Sequence, residues 1–126
     1  MTFRPVLDAA DLRPGEPAGV EVDGRAICVV RLPDGELTAF DDACPHRAWP
    51  LHQGRLDGVV LTCKAHTWQW DVRDGALRDL RAPECLTMHE VREHEGRIEV
   101  AVAPDAPPAT PISRLYLRAA AREAAA

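Results

Sequence analysis

The sequence predicts an all-β fold, an antiparallel β-sandwich or small barrel, on three observations. Short apolar or alternating runs recur from residue 3 to residue 102, and glycine-containing turns separate them. Many short strands at close spacing are typical of sandwiches and barrels. The chain has 126 residues, which suits one compact domain and is too short for two ordinary ones.

Seven strands are predicted, each from a short run rich in apolar side chains. They cover residues 19–22, 26–31, 36–40, 59–62, 68–72, 86–92 and 97–102. The dipeptides Asp23-Gly24 and Asp34-Gly35 lie between consecutive runs. Glycine supplies the positive φ that tight hairpin turns need, so both dipeptides predict turns.

Two loops interrupt these strands. Residues 41–57 (DDACPHRAWPLHQGRLD) contain two prolines, and residues 62–67 (TCKAHT) separate two predicted strands. Loops of such length inside a compact domain are usually functional. Functional residues are therefore expected in these two loops.

The chain is predicted to have two parts. Residues 1–103 form the strand-rich domain, and residues 104–126 form a proline-rich linker followed by a short C-terminal helical tail rich in alanine and arginine. Arg114, Arg118 and Arg122 recur at helical spacing on one face of the tail. Because so short a helix is marginal in water, we expect it to pack on its own domain or to fray, with a partner-binding arm as the alternative.

The charge balance argues against binding to nucleic acid or to an anionic membrane. Fifteen basic and twenty acidic residues give a net charge of -5, whereas such binders carry a basic face. No apolar stretch has the length of a signal peptide core or of a membrane span. We therefore expect a cytoplasmic protein, in which cysteines are more often ligands, nucleophiles or buried apolar residues than disulfides.

Each of the two loops carries one cysteine and one histidine. The first has C-x-H at residues 44–46 and the second has C-x-x-H at residues 63–66, with 16 residues between the motifs. Common zinc fingers instead take two cysteines from one knuckle and two histidines from the next. One cysteine and one histidine from each loop favour a dinuclear [2Fe-2S] site, and a mononuclear Cys2His2 zinc site is the alternative.

These motifs resemble the signature of the Rieske proteins, and the resemblance covers about residues 3–102. It implies a Rieske-type iron-sulfur domain, in which a two-loop cluster-binding subdomain accompanies the antiparallel β-sandwich or barrel. It also implies that Cys44 and Cys63 bind one iron of a [2Fe-2S] cluster. By the same resemblance, His46 and His66 bind the other iron through their ring nitrogens.

High-potential members of that family carry an extra cysteine in each loop, and these two cysteines form a disulfide. These members also carry hydroxyl groups directed at the cluster sulfurs. Here Trp49 and Ala65 stand at the cysteine positions. Trp68 stands at the serine position, and the only tyrosine, Tyr116, lies in the tail. Fewer hydroxyl groups stabilise negative charge on sulfur, so the resemblance implies a low-potential, ferredoxin-like centre.

The chain has no room for a second domain with a mononuclear iron, flavin or nicotinamide site, so we expect a one-electron carrier and no enzyme. The segment GVVLTCKAHTW at residues 58–68 and Cys85-Leu86 resemble the ferredoxin component of multicomponent diiron monooxygenases that act on aromatic or alkene hydrocarbons. That resemblance implies a flavoprotein NADH reductase and a diiron hydroxylase as partners of a monomeric carrier.

Two other kinds of Rieske protein remain alternatives. One is the ferredoxin of a ring-hydroxylating dioxygenase, and the other is the small subunit of an assimilatory nitrite reductase. In both, proline is expected directly after the second-loop cysteine, whereas Lys64 follows Cys63 here.

Several residues outside the four ligands are expected to have structural roles. Cys28 and Cys85 adjoin or lie in apolar runs and are predicted to be core residues. His52, His89 and His94 are predicted to face solvent.

Three apolar residues near the motifs have alternative roles. Leu51 is predicted to shield the cluster, although apolar packing would also explain it. Trp68 is predicted to be a core residue near the cluster and not an electron relay. Trp49 is a candidate for an exposed docking residue.

Overall fold

The computed structural model describes residues 2–45, 49–64, 68–78 and 85–107. Within these ranges the chain forms nine β-strands: Arg4–Asp8 (β1), Ala18–Val22 (β2), Arg25–Arg31 (β3), Leu37–Asp41 (β4), Arg55–Asp57 (β5), Val60–Thr62 (β6), Gln69–Asp71 (β7), Met88–His94 (β8) and Arg97–Ala101 (β9). Short 3-10 turns cover Ala9–Asp11 and Leu51–Gln53. None of the helical segments in the described ranges is long and apolar enough to span a bilayer.

The strands form two antiparallel sheets. The large sheet has the order β1-β9-β8-β4-β3-β2, and the small sheet has the order β5-β6-β7. An ion pair of 3.8 Å joins Arg4 on β1 to Asp23 in the β2–β3 turn, so the two edges of the large sheet approach each other. The prediction of an all-β sandwich or barrel is confirmed.

Tight turns connect the hairpins of the large sheet. Asp23 and Gly24 have φ of 50° and 83°, the pair of positive values that a two-residue type I′ turn requires. At the β3–β4 turn only Gly35 has a positive φ, and the Asp34 side chain accepts the backbone N–H of Glu36 at 3.0 Å. Both dipeptides therefore form turns, as predicted, but with different backbone geometry.

Strand β3, which lies between β4 and β2, supplies side chains to two apolar clusters. Cys28 and Val30 belong to the cluster that also contains the buried residues of the small sheet, Leu56, Leu61 and Trp70. Ile27 and Val29, which alternate with them, belong to a second cluster on the other face, with Ile98 and Val100 of β9. Because both faces of β3 are covered, its sequence is a continuous apolar run and not an alternating one.

All seven predicted strands are present, with ends shifted by at most two residues, but β1 and β5 were not predicted. Strand β1 contains Pro5 and an irregular register between Pro5 and Leu7. Proline is tolerated there because β1 is an edge strand. Strand β5 has only three residues and lies inside the segment that was predicted to be one long loop.

The chain after β9 packs against the large sheet as far as it is described. The backbone N–H of Ala103 donates to His89 Nδ1 at 3.0 Å, and the carbonyl oxygen of Pro107 accepts from Arg25. The helix predicted in the tail lies outside the described residues. The division of the chain at residue 103 stays a prediction.

Candidate metal centre

The first cysteine-bearing loop joins β4 of the large sheet to β5 of the small one. The backbone N–H of Cys44 donates to the carbonyl oxygen of Trp49 at 2.8 Å, which closes a tight ring at the loop tip. The loop then passes through the 3-10 turn and reaches Gly54, where an added Cβ would clash with the carbonyl oxygen of Thr62. Glycine therefore allows the loop backbone to lie against β6.

The second loop joins β6 to β7 and has the same closing hydrogen bond. The backbone N–H of Cys63 donates to the carbonyl oxygen of Trp68 at 2.8 Å, again across five residues. At its base Thr62 pairs with Gln69 in the small sheet. Two loops of similar local geometry thus each present one cysteine.

The structure brings the two motif cysteines into one apolar environment. Cys44 and Cys63 are each 1% exposed and belong to the same core cluster. Neither cysteine forms a disulfide within the described part of the chain, and thiolate sulfur suits a soft metal centre held away from water. This donor chemistry and burial fit an iron-sulfur cluster. His46 and His66 lie outside the described residues, so the geometry concerns the cysteine half of the predicted ligand set.

The tryptophans beside the loops are half-buried and pack against the core cluster that holds the two cysteines. The ring centroid of Trp68 lies 6.0 Å from that of the fully buried Trp70, with the rings tilted by 46°. Trp49 packs against the same cluster and is not a fully exposed residue. Leu51 is completely buried in the same cluster, so this residue packs the first loop against the core.

A hydrogen-bonded pair of side chains within the first loop, Asp42 and His52, was not predicted from the sequence. His52 was expected to face solvent, but its side chain is only 16% exposed and its Nδ1 contacts Oδ2 of Asp42. The backbone N–H of His52 also donates to Oδ1 of Asp42 at 2.7 Å. The exposure prediction was wrong because the partner lies ten residues away, at the other end of the loop. The aspartate shortly before the C-x-H motif is the feature of the sequence that could have indicated this pair.

The two cysteines outside the motifs differ in burial. Cys28 is completely buried, as predicted. Burial raises the pKa of its thiol well above the ordinary value, and the negative charge of the Asp42 carboxylate adds a smaller contribution. Cys85 is exposed, so its assignment to the core was wrong. Successive residues of an extended chain point to opposite sides, and here Leu86 takes the core position.

His89 is the second histidine whose exposure was wrongly predicted. Its side chain is fully buried, its Nε2 lies 2.7 Å from Oδ1 of Asp41, and its Nδ1 accepts the Ala103 N–H. Arg25 donates to both oxygens of the same carboxylate at 2.7 and 2.6 Å. His94, at the far end of β8, is 54% exposed as predicted.

The Asp41 carboxylate is stabilised by these neighbours. Burial alone would raise its pKa, but the hydrogen bonds and positive charge from His89 and Arg25 outweigh that effect, so the pKa lies below the ordinary value. The network joins the end of β4, where the first loop begins, to β3 and β8. It therefore fixes the point from which the first loop leaves the sheet.

Comparison with known proteins places these loops in a family. The chain is 34% identical over 98 residues to the biphenyl dioxygenase ferredoxin subunit of Pseudomonas sp. (strain KKS102), covering 77% of this chain and 88% of that protein. It is 33% identical over 96 residues to the ferredoxin component of the alkene monooxygenase system of Xanthobacter autotrophicus (strain ATCC BAA-1158 / Py2), covering 75% and 76%.

A solved structure gives the same fold. A chain of the complex of reduced oxygenase and oxidized ferredoxin in carbazole 1,9a-dioxygenase superposes with a TM-score of 0.70 at 31% identity, covering 78% of this chain and 100% of that one. The family model of the Rieske [2Fe-2S] domain matches residues 2–98, and the predicted [2Fe-2S] cofactor is thereby confirmed. The chain belongs to the Rieske [2Fe-2S] domain family.

Proposed function

We propose that the protein is a one-electron carrier, a monomeric Rieske ferredoxin of the cytoplasm with no substrate chemistry of its own. The observation that carries this proposal is the pair of matching loops, each of which presents one buried cysteine to a shared apolar cluster. A bound [2Fe-2S] cluster supplies the centre that accepts and releases single electrons. The rest of the described chain is a β scaffold that supports these loops.

In this proposal Cys44 and Cys63 hold one iron, and His46 and His66 hold the other. Two neutral imidazoles in place of two thiolates make the oxidised centre about two charge units less negative than a four-cysteine centre, so reduction is easier. Burial of Cys44 and Cys63 keeps water from the sulfur ligands and reduces solvent stabilisation of charge there.

For the partners, we propose that an NADH-dependent flavoprotein reductase loads the carrier and that the hydroxylase of a diiron monooxygenase unloads it. The second-loop sequence supports the monooxygenase, because Lys64 follows Cys63 where dioxygenase ferredoxins are expected to have proline. The similarity to the alkene monooxygenase ferredoxin also supports it. The substrate class would be aromatic or alkene hydrocarbons.

A ring-hydroxylating dioxygenase is the second candidate for the electron acceptor. It is supported by the slightly higher identity to the biphenyl dioxygenase ferredoxin and by the likeness to a chain of the carbazole dioxygenase complex. In either case the acceptor is the oxygenase component of a multicomponent system.

The cofactor assignment is tested on the purified protein. We expect red-brown protein with charge-transfer bands and a reduced-state EPR signal of low average g. The Cys63→Ala variant should lose the cluster, whereas the matched Cys85→Ala variant should keep it, because Cys85 is exposed and outside both loops. A colourless protein with one zinc per chain would contradict the proposal.

The partner assignment needs reconstitution with purified oxygenase components. The reduced protein is mixed with a diiron hydroxylase or with a ring-hydroxylating dioxygenase, and reoxidation of the carrier is followed at its visible bands. Faster reoxidation by the diiron hydroxylase is expected. Faster reoxidation by the dioxygenase would favour the second candidate.

A further inference from the structure

The two cysteine-bearing loops are closed at their bases in different ways. The second loop joins neighbouring strands of the small sheet, and Thr62 pairs with Gln69 directly at its base. The first loop joins β4 to β5, which belong to different sheets. Backbone pairing of the flanking strands therefore holds the second loop but is not available to the first.

At the base of the first loop a buried pair of side chains takes this role. Asp42, one residue beyond β4, is 1% exposed and binds His52 through both carboxylate oxygens, one to the backbone N–H and one to Nδ1. The backbone N–H of Asp42 donates to the carbonyl oxygen of Ala26 on β3 at 3.0 Å. The pair thus joins the two ends of the segment that contains Cys44 and fixes that segment to the large sheet.

The imidazole of His52 packs directly on the backbone of β2. A Cβ added at Gly19 would lie 2.7 Å from Nδ1 of His52, which is closer than real Cβ contacts. The ring position therefore depends on glycine at residue 19 as well as on Asp42. Three separate parts of the sequence, on β2, at the end of β4 and in the 3-10 turn, together define one ring position.

The charge of Asp42 is close enough to the core to affect it. Burial is the main cause of the raised pKa of Cys28, and the Asp42 carboxylate is the second cause. Cys28 packs in the same cluster as Cys44 and Cys63. A negative charge in this position opposes the addition of an electron nearby.

We propose that Asp42 and His52 are positioning residues for the first loop, which hold the segment bearing Cys44. The inference rests on the proposed function in one respect, that the first loop binds the cluster. The free energy of a buried hydrogen bond to a charged group corresponds to about a tenfold or larger change in an equilibrium constant. Loss of the Asp42–His52 contact should therefore shorten the lifetime of the bound cluster by about that factor.

The test compares holoprotein variants for iron loss and midpoint potential. His52→Ala is expected to lose its visible absorbance at least about tenfold faster than wild type in an iron chelator. His52→Gln, whose amide can still donate to Asp42, should lose iron at a rate between those of wild type and His52→Ala. The matched control His94→Ala changes an exposed histidine and should lose iron at the wild-type rate.

The potential provides a readout that a purely structural role would not move. Asp42→Asn removes the buried charge with little change in shape, so its midpoint potential should lie above that of wild type and of His94→Ala. If His52→Ala fails to fold, Gly19→Ala displaces the ring by a single methyl group, and it should lose iron faster than His94→Ala.

The outcomes separate this inference from the proposed function. A wild-type protein without Rieske EPR and visible bands would contradict the proposed function itself. A wild-type protein with those spectra, whose His52 and Asp42 variants match His94→Ala in iron loss and midpoint potential, would overturn the inference and leave the proposed function in place.

Discussion

Three of the four cysteines, Cys28, Cys44 and Cys63, are buried in one apolar cluster, whereas Cys85 is exposed. Cys44 and Cys63 are set apart by the nearby histidines in the motifs. Cys28 lies in a run that is apolar because both faces of β3 are covered, so its burial was predictable. The exposure of Cys85 was not, because it depends on which side of the chain Leu86 occupies.

The histidines show the same limit of local pattern. Both His52 and His89 were predicted to be exposed, yet His89 is buried and His52 is half-buried, each against an aspartate at the end of β4 or just beyond it. The partners are 10 and 48 residues away. Long-range pairing of this kind leaves no periodic signal in the sequence, whereas strand and turn patterns are local and were predicted.

The Asp41 network predicts a pH dependence of folding stability. Since the folded-state pKa of Asp41 lies below the ordinary value of 3.8, its contribution is present above that value and is lost as the pH falls through the folded-state pKa. Asp41→Asn should cost about 2 kcal/mol of unfolding free energy at neutral pH. The difference from wild type should shrink below about pH 4.

Urea unfolding of wild type and Asp41→Asn across this pH range provides the measurement. The exposed Asp57 offers a matched control, and Asp57→Asn should change stability by no more than about 0.5 kcal/mol at any pH. A difference for Asp41→Asn that stays constant down to pH 3 would show that the carboxylate is not stabilised as described.

At the scale of elements, the segment after β9 is more than a simple linker. Its composition predicted a stiff connection without regular structure, and residues 103–107 indeed form no strand or helix. Their backbone nevertheless supplies hydrogen-bond partners to His89 and Arg25. Proline-rich composition predicted the absence of a strand but not this packing, which depends on two side chains from distant strands.

Truncation distinguishes the packed part of this segment from the rest of the chain. A variant ending at residue 107 should keep the unfolding free energy of the full chain. A variant ending at residue 102 should lose about 1–3 kcal/mol, because His89 and Arg25 each lose a backbone partner in a buried network. Equal thermal unfolding of the two variants would contradict the assigned role of residues 103–107.

At the scale of the whole molecule, the charge distribution bears on how the carrier meets its partners. The net charge is -5, while the segment of residues 41–68, which contains both loops, has three basic and three acidic residues. Long-range attraction or repulsion therefore originates mainly outside that segment. Rising ionic strength should change the second-order rate of electron transfer to an oxygenase but not the rate at saturating carrier.

Stopped-flow measurement at several salt concentrations tests whether charge acts on the second-order rate and not on the saturated rate. The Glu95→Lys variant, at an 84% exposed position in the β8–β9 turn, should change the salt dependence of the second-order rate and leave the saturated rate alone. Loss of electron transfer at saturating carrier in high salt would contradict it.

The potential of the intact molecule is a further expectation. The positions that carry a disulfide in high-potential relatives hold Trp49 and Ala65, and the serine position holds Trp68. The midpoint potential should therefore lie well below that of quinol-oxidising Rieske centres. Protein-film voltammetry gives the value directly, and a midpoint in the quinol-oxidising range would contradict the expectation.

The pairing of β1 with β9 also has a consequence for the order of folding. Arg4 lies opposite Val100, so the large sheet is completed only after contacts form between residues more than ninety positions apart. The small sheet, by contrast, joins segments that follow one another directly along the chain. Because distant contacts form slowly, the hairpin that bears Cys63 can form early, and closure of the large sheet limits the folding rate.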